Sequence, residues 1–166
     1  MFRLAFISIL FVVLTSCSLT KPSEYFKSTD LVGTWELKFD GVYPYWFSQI
    51  GFTEDGRKCV LSYEFDTSGR VSMDYYLSKY KVEDGYLYSE IAFSSTPYVR
   101  TGEVIKDRID ILVKDYFEVF MVGPLSGSTA ERHQRLSDVS PEELCKIVEN
   151  FRITSNAKAA SAVRAF

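Results

Sequence analysis

The sequence contains few of the residues from which catalytic and metal centres are built. It has one histidine and three cysteines in 166 residues, too few for a zinc site with clustered ligands. It also lacks a phosphate-binding glycine loop and a Gly-x-Ser-x-Gly nucleophile motif. The histidine, His133, stands in a polar stretch and is predicted to lie on the surface. The carboxylates are scattered over predicted turns and outer strand faces, so we expect no enzyme active site, no metal and no cofactor.

Two further absences concern charge and hydrophobic length. Lys and Arg number 19 against 22 Asp and Glu, and no basic stripe appears, which excludes a nucleic-acid partner. The longest apolar run, Leu4 to Leu14, is much shorter than the roughly 20 residues that a membrane-spanning helix needs. What the chain does have is 46% hydrophobic and 16% aromatic residues, enough to build a packed core.

The N-terminal residues are typical of a secretory signal peptide. Arg3 gives the chain a positive start, and the apolar run Leu4 to Leu14 follows it. The next segment, Leu14-Thr15-Ser16-Cys17, resembles the lipobox of bacterial lipoproteins. The resemblance implies cleavage before Cys17 and acylation of that cysteine, and several acyl chains anchor a protein stably in a membrane. Because Ser18 and not Asp follows the cysteine, the resemblance further implies an outer-membrane protein that faces the periplasm.

Lipid on Cys17 leaves two further cysteines, Cys59 and Cys145. An even pair in an oxidising cell envelope favours a disulfide bond. Two separate buried thiols are the alternative, and sequence spacing alone does not decide between them.

The body of the chain predicts an antiparallel β-meander. Residues 31–39 alternate between apolar and polar types towards their end, as in a half-buried strand. Asp84-Gly85 is a two-residue hairpin signal, and a switch of apolar parity near Ser78 predicts a bulge or strand break. The aromatic segment 40–55 is irregular and is predicted to be a long loop. The predicted strands span 30–39, 58–65, 70–77, 80–82, 87–93, 98–105, 109–113, 116–122 and 130–136.

The end of the chain changes from strand period to helix period. Ser140-Pro141-Glu142-Glu143 is a helix start, and apolar residues follow at one-face helical spacing through Phe151. The predicted fold class is mostly β: an antiparallel up-and-down barrel of about eight strands with one C-terminal α-helix packed outside, because closure removes exposed sheet edges. The predicted segments are a signal peptide at 1–16, a lipidated tether at 17–30, the barrel with its helix at 31–152 and a flexible tail at 153–166.

Three short motifs resemble those of the lipocalins. Gly33-Thr34-Trp35 is similar to their Gly-x-Trp motif, and Lys114-Asp115-Tyr116 is similar to their Thr-Asp-Tyr motif with Lys in place of Thr. Arg132 or Arg135 stands where lipocalins place an arginine over the motif tryptophan. The resemblance implies a lipocalin-like barrel, and a disulfide between the C-terminal part and the barrel is also found in that family. The motif residues are interpreted as structural and not as ligand contacts: Gly33, Trp35, Asp115, Tyr116, Arg132 and Arg135.

Aromatic side chains are the feature from which a function is inferred. Tyrosine combines an apolar body with a polar tip, which suits amphiphilic ligands, and an eight-stranded barrel either holds one small ligand or fills itself with side chains. One hypothesis is a membrane-anchored, non-enzymatic protein that binds a small hydrophobic or amphiphilic molecule such as a lipid. The alternative is a filled barrel that binds an envelope protein, as an assembly subunit, an inhibitor or an immunity factor. The candidate ligand contacts are Tyr45, Trp46, Phe47, Met73, Tyr75 and Tyr80.

Overall fold

The computed structural model describes residues 26–39, 45–122 and 130–163. The predicted signal peptide, Cys17 and most of the predicted tether lie outside these residues. The described chain is mostly β and carries one long helix at its C-terminal end. The elements are α1 (Ser28–Leu31), β1 (Gly33–Phe39), β2 (Tyr45–Phe52), β3 (Arg57–Phe65), β4 (Val71–Glu83), β5 (Tyr86–Ser94), β6 (Val104–Val113), β7 (Tyr116–Met121), β8 (Glu131–Leu136) and α2 (Pro141–Val163).

The eight strands form a closed antiparallel barrel in which every strand pairs with the next along the chain. β1 also pairs with β8, with Trp35 opposite Arg135, and this pairing closes the cylinder. Each of the eight described strands is therefore paired on both sides, which protects the sheet edges from another chain. The predicted fold class, an up-and-down barrel with an outer C-terminal helix, is confirmed.

One end of the barrel is filled with large apolar side chains. Trp35, Phe52 and Phe117 are fully buried there, and the rings of Trp35 and Phe117 meet edge to face at 4.7 Å. The short helix α1 lies at this end, with Leu31 fully buried and Phe26 also in the core. We call this the closed end, and we call the opposite end, where β1 ends and β2 begins, the mouth. Residues 26–31 therefore pack on the barrel, within the segment that the sequence assigns largely to the tether.

The helix α2 packs on the outer face of the barrel and is joined to it covalently. Cys59 of β3 and Cys145 of α2 form a disulfide, with their Cα atoms 5.2 Å apart. Leu144 and Val148 are buried beside it, and Tyr75 of β4 lies beneath the helix, its hydroxyl 2.7 Å from the Ser155 hydroxyl. The helix continues beyond residue 152, where the sequence predicts a flexible tail, and ends at Val163.

The bulge predicted near Ser78 is confirmed, because the register between β4 and β5 shifts between Leu77 and Ser78, and β4 itself has no break there. β4 runs without interruption, with Tyr75 and Leu77 packed outside under α2 and Tyr80 packed inside the barrel. Apolar residues therefore lie on the outer face in the first part of β4 and on the inner face in the last part. In the sequence this looks like a shift of the apolar alternation by one residue. At this bulge Leu77 pairs with Phe93 and Ser78 with Ile91, so the extra residue is Ala92 of β5.

Several predicted boundaries were wrong, including that of the strand predicted at 98–105, since β6 begins only at Val104. The predicted loop 40–55 contains β2, which pairs with β1 and β3 over its length. The predicted turn at Asp107-Arg108 lies inside β6, which is one strand from Val104 to Val113. In both places local composition favours a turn or loop, but pairing with two neighbouring strands stabilises extended backbone.

Candidate functional site

A cavity of about 190 Å³ lies inside the barrel between the closed end and the mouth. Its floor is formed by Phe52 and Phe117, and its wall reaches Trp46 and Met121 near the mouth. Pockets for drug-sized ligands have volumes of roughly 300–1,000 Å³. The cavity in the barrel is smaller than these, so it suits a molecule that is smaller than a typical drug. A wider groove of about 410 Å³ lies outside, between α2 and the barrel, and is lined mainly by exposed residues.

The cavity contains a buried lysine. Lys58 of β3 is only 5% exposed, and its Nζ donates a hydrogen bond to the Ser89 hydroxyl at 3.2 Å. The ammonium also lies 5.7 Å from the Phe52 ring and 5.8 Å from the Tyr76 ring. Burial alone lowers the pKa of Lys58, but Tyr76, Asp107 and Glu131 together raise it above its ordinary value. A charged lysine is therefore held in the interior of the barrel.

The inward direction of Lys58 follows from its neighbour in sequence. Successive side chains of a strand point to opposite faces of the sheet. Cys59 points outward because its disulfide holds it against α2. Lys58 must then point into the barrel, as do Val60 and Ser62 two and four residues further on.

Two carboxylates face the same cavity. Asp107 of β6 is 6% exposed and Glu131 of β8 is partly buried. Burial raises the pKa of both carboxyl groups, while Lys58 opposes this shift in each. No ion pair joins Lys58 to either carboxylate in the part of the chain that the structure describes. Asp107 Oδ1 has no hydrogen-bond partner there.

His133 completes the polar group of the cavity. The sequence predicts it on the surface, and this prediction was wrong, because the residue is 1% exposed and lines the cavity. Its ring stacks on Phe117 at a centroid distance of 4.1 Å and an angle of 1°. Burial and the charge of Lys58 lower the pKa of His133 to about 3, so the imidazole is neutral at pH 7. Its Nε2 lies 4.0 Å from a Glu131 carboxylate oxygen, and its Nδ1 has no partner among the described residues.

The structure brings few of the predicted ligand residues into this cavity. Trp46 lines it, whereas Phe47 stacks on Tyr63 at 4.9 Å on the outside of the barrel. Met73 and Tyr75 pack beneath α2 on the outer face. The remaining two are Tyr80, which is inside the barrel at the closed end and donates to the Thr53 carbonyl at 3.0 Å, and Tyr45, whose side chain lies outside the described part.

Four residues of the cavity were missed by sequence reasoning because their types favour solvent. The sequence does contain a signal, since each is separated by two positions from a residue that is also directed inward. Lys58 precedes Val60 by two, Asp107 precedes Ile109 by two, and Glu131 precedes His133 by two. The residues missed are Lys58, Asp107, Glu131 and His133.

The predicted motif residues meet at the closed end. The guanidinium of Arg135 lies 4.1 Å from the Trp35 ring and donates to the Val32 and Lys114 carbonyls at 2.7 and 2.6 Å. Trp35 Nε1 donates to the Leu31 carbonyl at 2.7 Å. Gly33 has a φ of 139°, and a Cβ there would stand 2.2 Å from an Arg135 nitrogen.

The other three motif residues are arranged around this cluster. The Asp115 carbonyl accepts from the Arg135 backbone N–H at 3.0 Å. Arg132 projects outward, where its Nε lies 3.0 Å from Glu118 Oε2, and the Tyr116 hydroxyl donates to the same carboxylate oxygen at 2.6 Å. Of the two candidate arginines, Arg135 is therefore the one over the tryptophan.

No helix in the described ranges is long and apolar enough to cross a membrane. Comparison of the chain with protein-family models and with the curated proteins found no match.

Proposed function

We propose that this protein is a lipid-anchored envelope lipoprotein with a lipocalin-like domain that binds one small amphiphilic molecule inside its barrel. The observation that carries the proposal is the cavity of about 190 Å³, which combines an apolar wall with buried charged and polar groups. A barrel interior that served only for stability would be filled by side chains to a density that leaves few voids larger than water. Lys58 and Asp107 would also be unfavourable choices for such a core.

Two features support the lipocalin-like assignment. The eight strands are joined in sequence order with a C-terminal helix outside. At the closed end, Trp35 and Arg135 stack beside Gly33, in the places that the motif resemblance implies. The membrane anchor is inferred from the sequence around Cys17 alone, and it has its own test.

Acylation of Cys17 is tested by labelling. Bacteria that express the full chain are grown with radiolabelled palmitate, and the protein is immunoprecipitated. We expect label in the wild-type protein and none in Cys17→Ala, with Cys145→Ala as the matched control that keeps the label. An unlabelled wild-type protein of mature size would contradict the anchor and leave the barrel proposal standing.

Ligand binding is tested by native mass spectrometry of the mature protein purified from a bacterial envelope. We expect a bound adduct that leaves on mild denaturation. Ser62, which lines the cavity and hydrogen-bonds Ser48 at 2.9 Å, offers matched variants. Ser62→Phe fills the cavity and should lose the adduct, whereas Ser62→Thr keeps the hydroxyl and should retain it. A clean mass before and after incubation with an envelope lipid extract would refute the proposal.

A second function is favoured by the surface at the mouth. Several exposed apolar residues lie at that end of the barrel, where a partner protein could bury them. In this case the protein would act as an interaction module whose partner covers the mouth. Substitution of two of these residues by Ser would then abolish co-purification of the partner and leave the adduct mass unchanged. The exposed residues are Val71, Tyr98, Val104, Met121 and Val122.

A further inference from the structure

We propose that the ligand is an amine, whose positively charged nitrogen donates hydrogen bonds to Asp107 and His133 inside the barrel. This inference rests on the proposed function and names the class of molecule that the cavity recognises. Three features support it: two buried atoms without hydrogen-bond partners, the tautomer assigned to His133, and the balance of charge in the cavity.

Two side chains that line the cavity and are more than nine-tenths buried each carry a polar atom without a hydrogen-bond partner among the described residues. Asp107 is 6% exposed and His133 is 1% exposed, and both line the cavity. Asp107 Oδ1 and His133 Nδ1 have no hydrogen-bond partner among the described residues. Leaving a buried polar atom unpaired costs free energy, so a group that satisfies both atoms gains binding energy from each.

Both unpartnered atoms are acceptors. An ionised carboxylate oxygen can only accept a hydrogen bond. We assign the proton of the neutral His133 ring to Nε2, because the Glu131 carboxylate is 4.0 Å from that nitrogen and Nδ1 has no acceptor beside it in the described residues. Nδ1 is then the acceptor nitrogen. The ligand must therefore bring hydrogen-bond donors. A ligand carboxylate has only acceptor atoms and could bond to neither Asp107 Oδ1 nor His133 Nδ1.

The charge balance of the cavity also favours a cation. Lys58 contributes one positive charge and His133 none, whereas Asp107 and Glu131 contribute two negative charges when both are ionised. Burial raises the pKa of both carboxyl groups, and a bound ammonium would favour their ionised forms. Tyr76 is the other titratable group that faces Lys58, and burial raises its pKa, so it is uncharged at neutral pH. A bound ammonium would balance the excess negative charge, and a bound anion would increase it.

Lys58 does not compete for the unpartnered carboxylate atom. Its ammonium is held by the Ser89 hydroxyl at 3.2 Å and by the rings of Phe52 and Tyr76. No ion pair joins it to Asp107 in the described part of the chain. The wall beyond the polar group includes Trp46 and Met121, which offer apolar surface to an alkyl chain.

The test compares three ligands of equal chain length: hexylamine, hexanol and hexanoate. Each is titrated into the mature protein, prepared from the full chain, and binding is followed by the fluorescence of Trp46 in the cavity wall. We expect hexylamine to bind at least tenfold more tightly than hexanol and hexanoate. Asp107→Asn should weaken hexylamine at least tenfold and change hexanol by less than threefold.

Two variants keep the test decisive if Asp107→Asn unfolds. Glu131→Gln lowers the negative charge of the same cavity and should also weaken hexylamine, whereas Lys58→Met should strengthen it. Equal binding of hexylamine and hexanol would overturn the amine inference and leave the ligand-binding function intact. Tightest binding of hexanoate, lost in Lys58→Met, would overturn it in favour of an anion. Failure of all three ligands to bind, with no adduct on the native protein, would overturn both proposals.

Discussion

The contribution of His133 to the stability of this protein should fall steeply in mild acid. In the unfolded chain its imidazole takes up a proton below its ordinary pKa of 6.5, whereas in the barrel the pKa is lowered to about 3 by burial and by the charge of Lys58. Between these two values the unfolded state binds a proton that the folded state does not. The stability that neutral His133 contributes is therefore fully present above pH 6.5 and is lost as the pH falls towards 3.

The size of the effect follows from the difference between the two pKa values. Each pKa unit corresponds to about 1.4 kcal/mol, so the total loss for His133 approaches about 5 kcal/mol at the acid end of this range. About half of that is lost by pH 4.7, roughly midway between the two values. A loss of this size is a third or more of the whole free energy of unfolding of a typical domain, which is about 5–15 kcal/mol.

The carboxyl groups in the same cavity act in the opposite direction. The pKa values of Asp107 and Glu131 are raised in the folded state, so the folded protein takes up their protons first and gains stability as the pH falls. The experiment therefore compares wild type with His133→Gln in urea denaturation at a series of pH values from 7 to 4. The contribution of the carboxyl groups is shared by both proteins, so the difference between the two slopes isolates the histidine.

A direct check is available because the chain has only one histidine. Its ring proton resonance in an NMR titration of the folded protein should not shift between pH 7 and pH 4.5. Parallel unfolding curves for wild type and His133→Gln, or a resonance that titrates near pH 6.5, would refute the placement of a neutral histidine in the barrel.

The remaining predictions concern the closed end and the disulfide. Gly33→Ala should lower the free energy of unfolding by about 2–3 kcal/mol or more, because the strain of its positive φ and the clash with Arg135 add together. Gly69 also has a positive φ, but a Cβ there would meet nothing within 4 Å. The control Gly69→Ala should therefore cost only about 1 kcal/mol in thermal unfolding. Arg135→Ala removes a ring contact and two hydrogen bonds to carbonyls and should cost about 2–4 kcal/mol, whereas Arg132→Ala on the outside should change little. Cys59→Ala removes a disulfide that spans 86 residues and should lower the free energy of unfolding by about 4 kcal/mol. Reduction of the wild-type disulfide should have the same effect. An unchanged unfolding midpoint for Gly33→Ala, Arg135→Ala or Cys59→Ala would contradict the contact that the substitution removes or strains.

Local signals allowed much of the barrel to be predicted. Asp84-Gly85 forms the expected hairpin, with φ of 52° at Asp84 and 77° at Gly85, and it pairs Val82 with Leu87. The helix begins at Pro141 as its start sequence indicates. These elements depend on a few adjacent residues, so the sequence alone specifies them. The strands β2 and β6 depend on pairing with the strands on either side of them, and neither has a clean alternation of its own.

The polar cavity was hidden for a different physical reason. Lysine, aspartate and histidine usually lie on protein surfaces, so residue type alone predicts that Lys58, Asp107 and His133 are exposed. Only their positions in the alternation of inward and outward side chains along the strands indicate that they point inward. For aromatic residues the error was the reverse: Tyr75 was assigned to a ligand site because it is large and amphipathic, but α2 covers it on the outside. Side-chain type alone therefore assigned these residues to the wrong side of the barrel wall.

The disulfide provides the link between these two faces. It fixes Cys59 outward against α2, and alternation then directs Lys58 inward. A slip of β3 by one residue would expose the lysine on the outside and bring a sulfur into the cavity, which the covalent bond to Cys145 prevents. A buried charge costs stability unless it is paired, and it gains nothing from hydrophobic packing. The register that holds Lys58 and its carboxylates in the barrel is thus maintained from the outer face, where the helix and disulfide contribute the stability that the polar interior lacks.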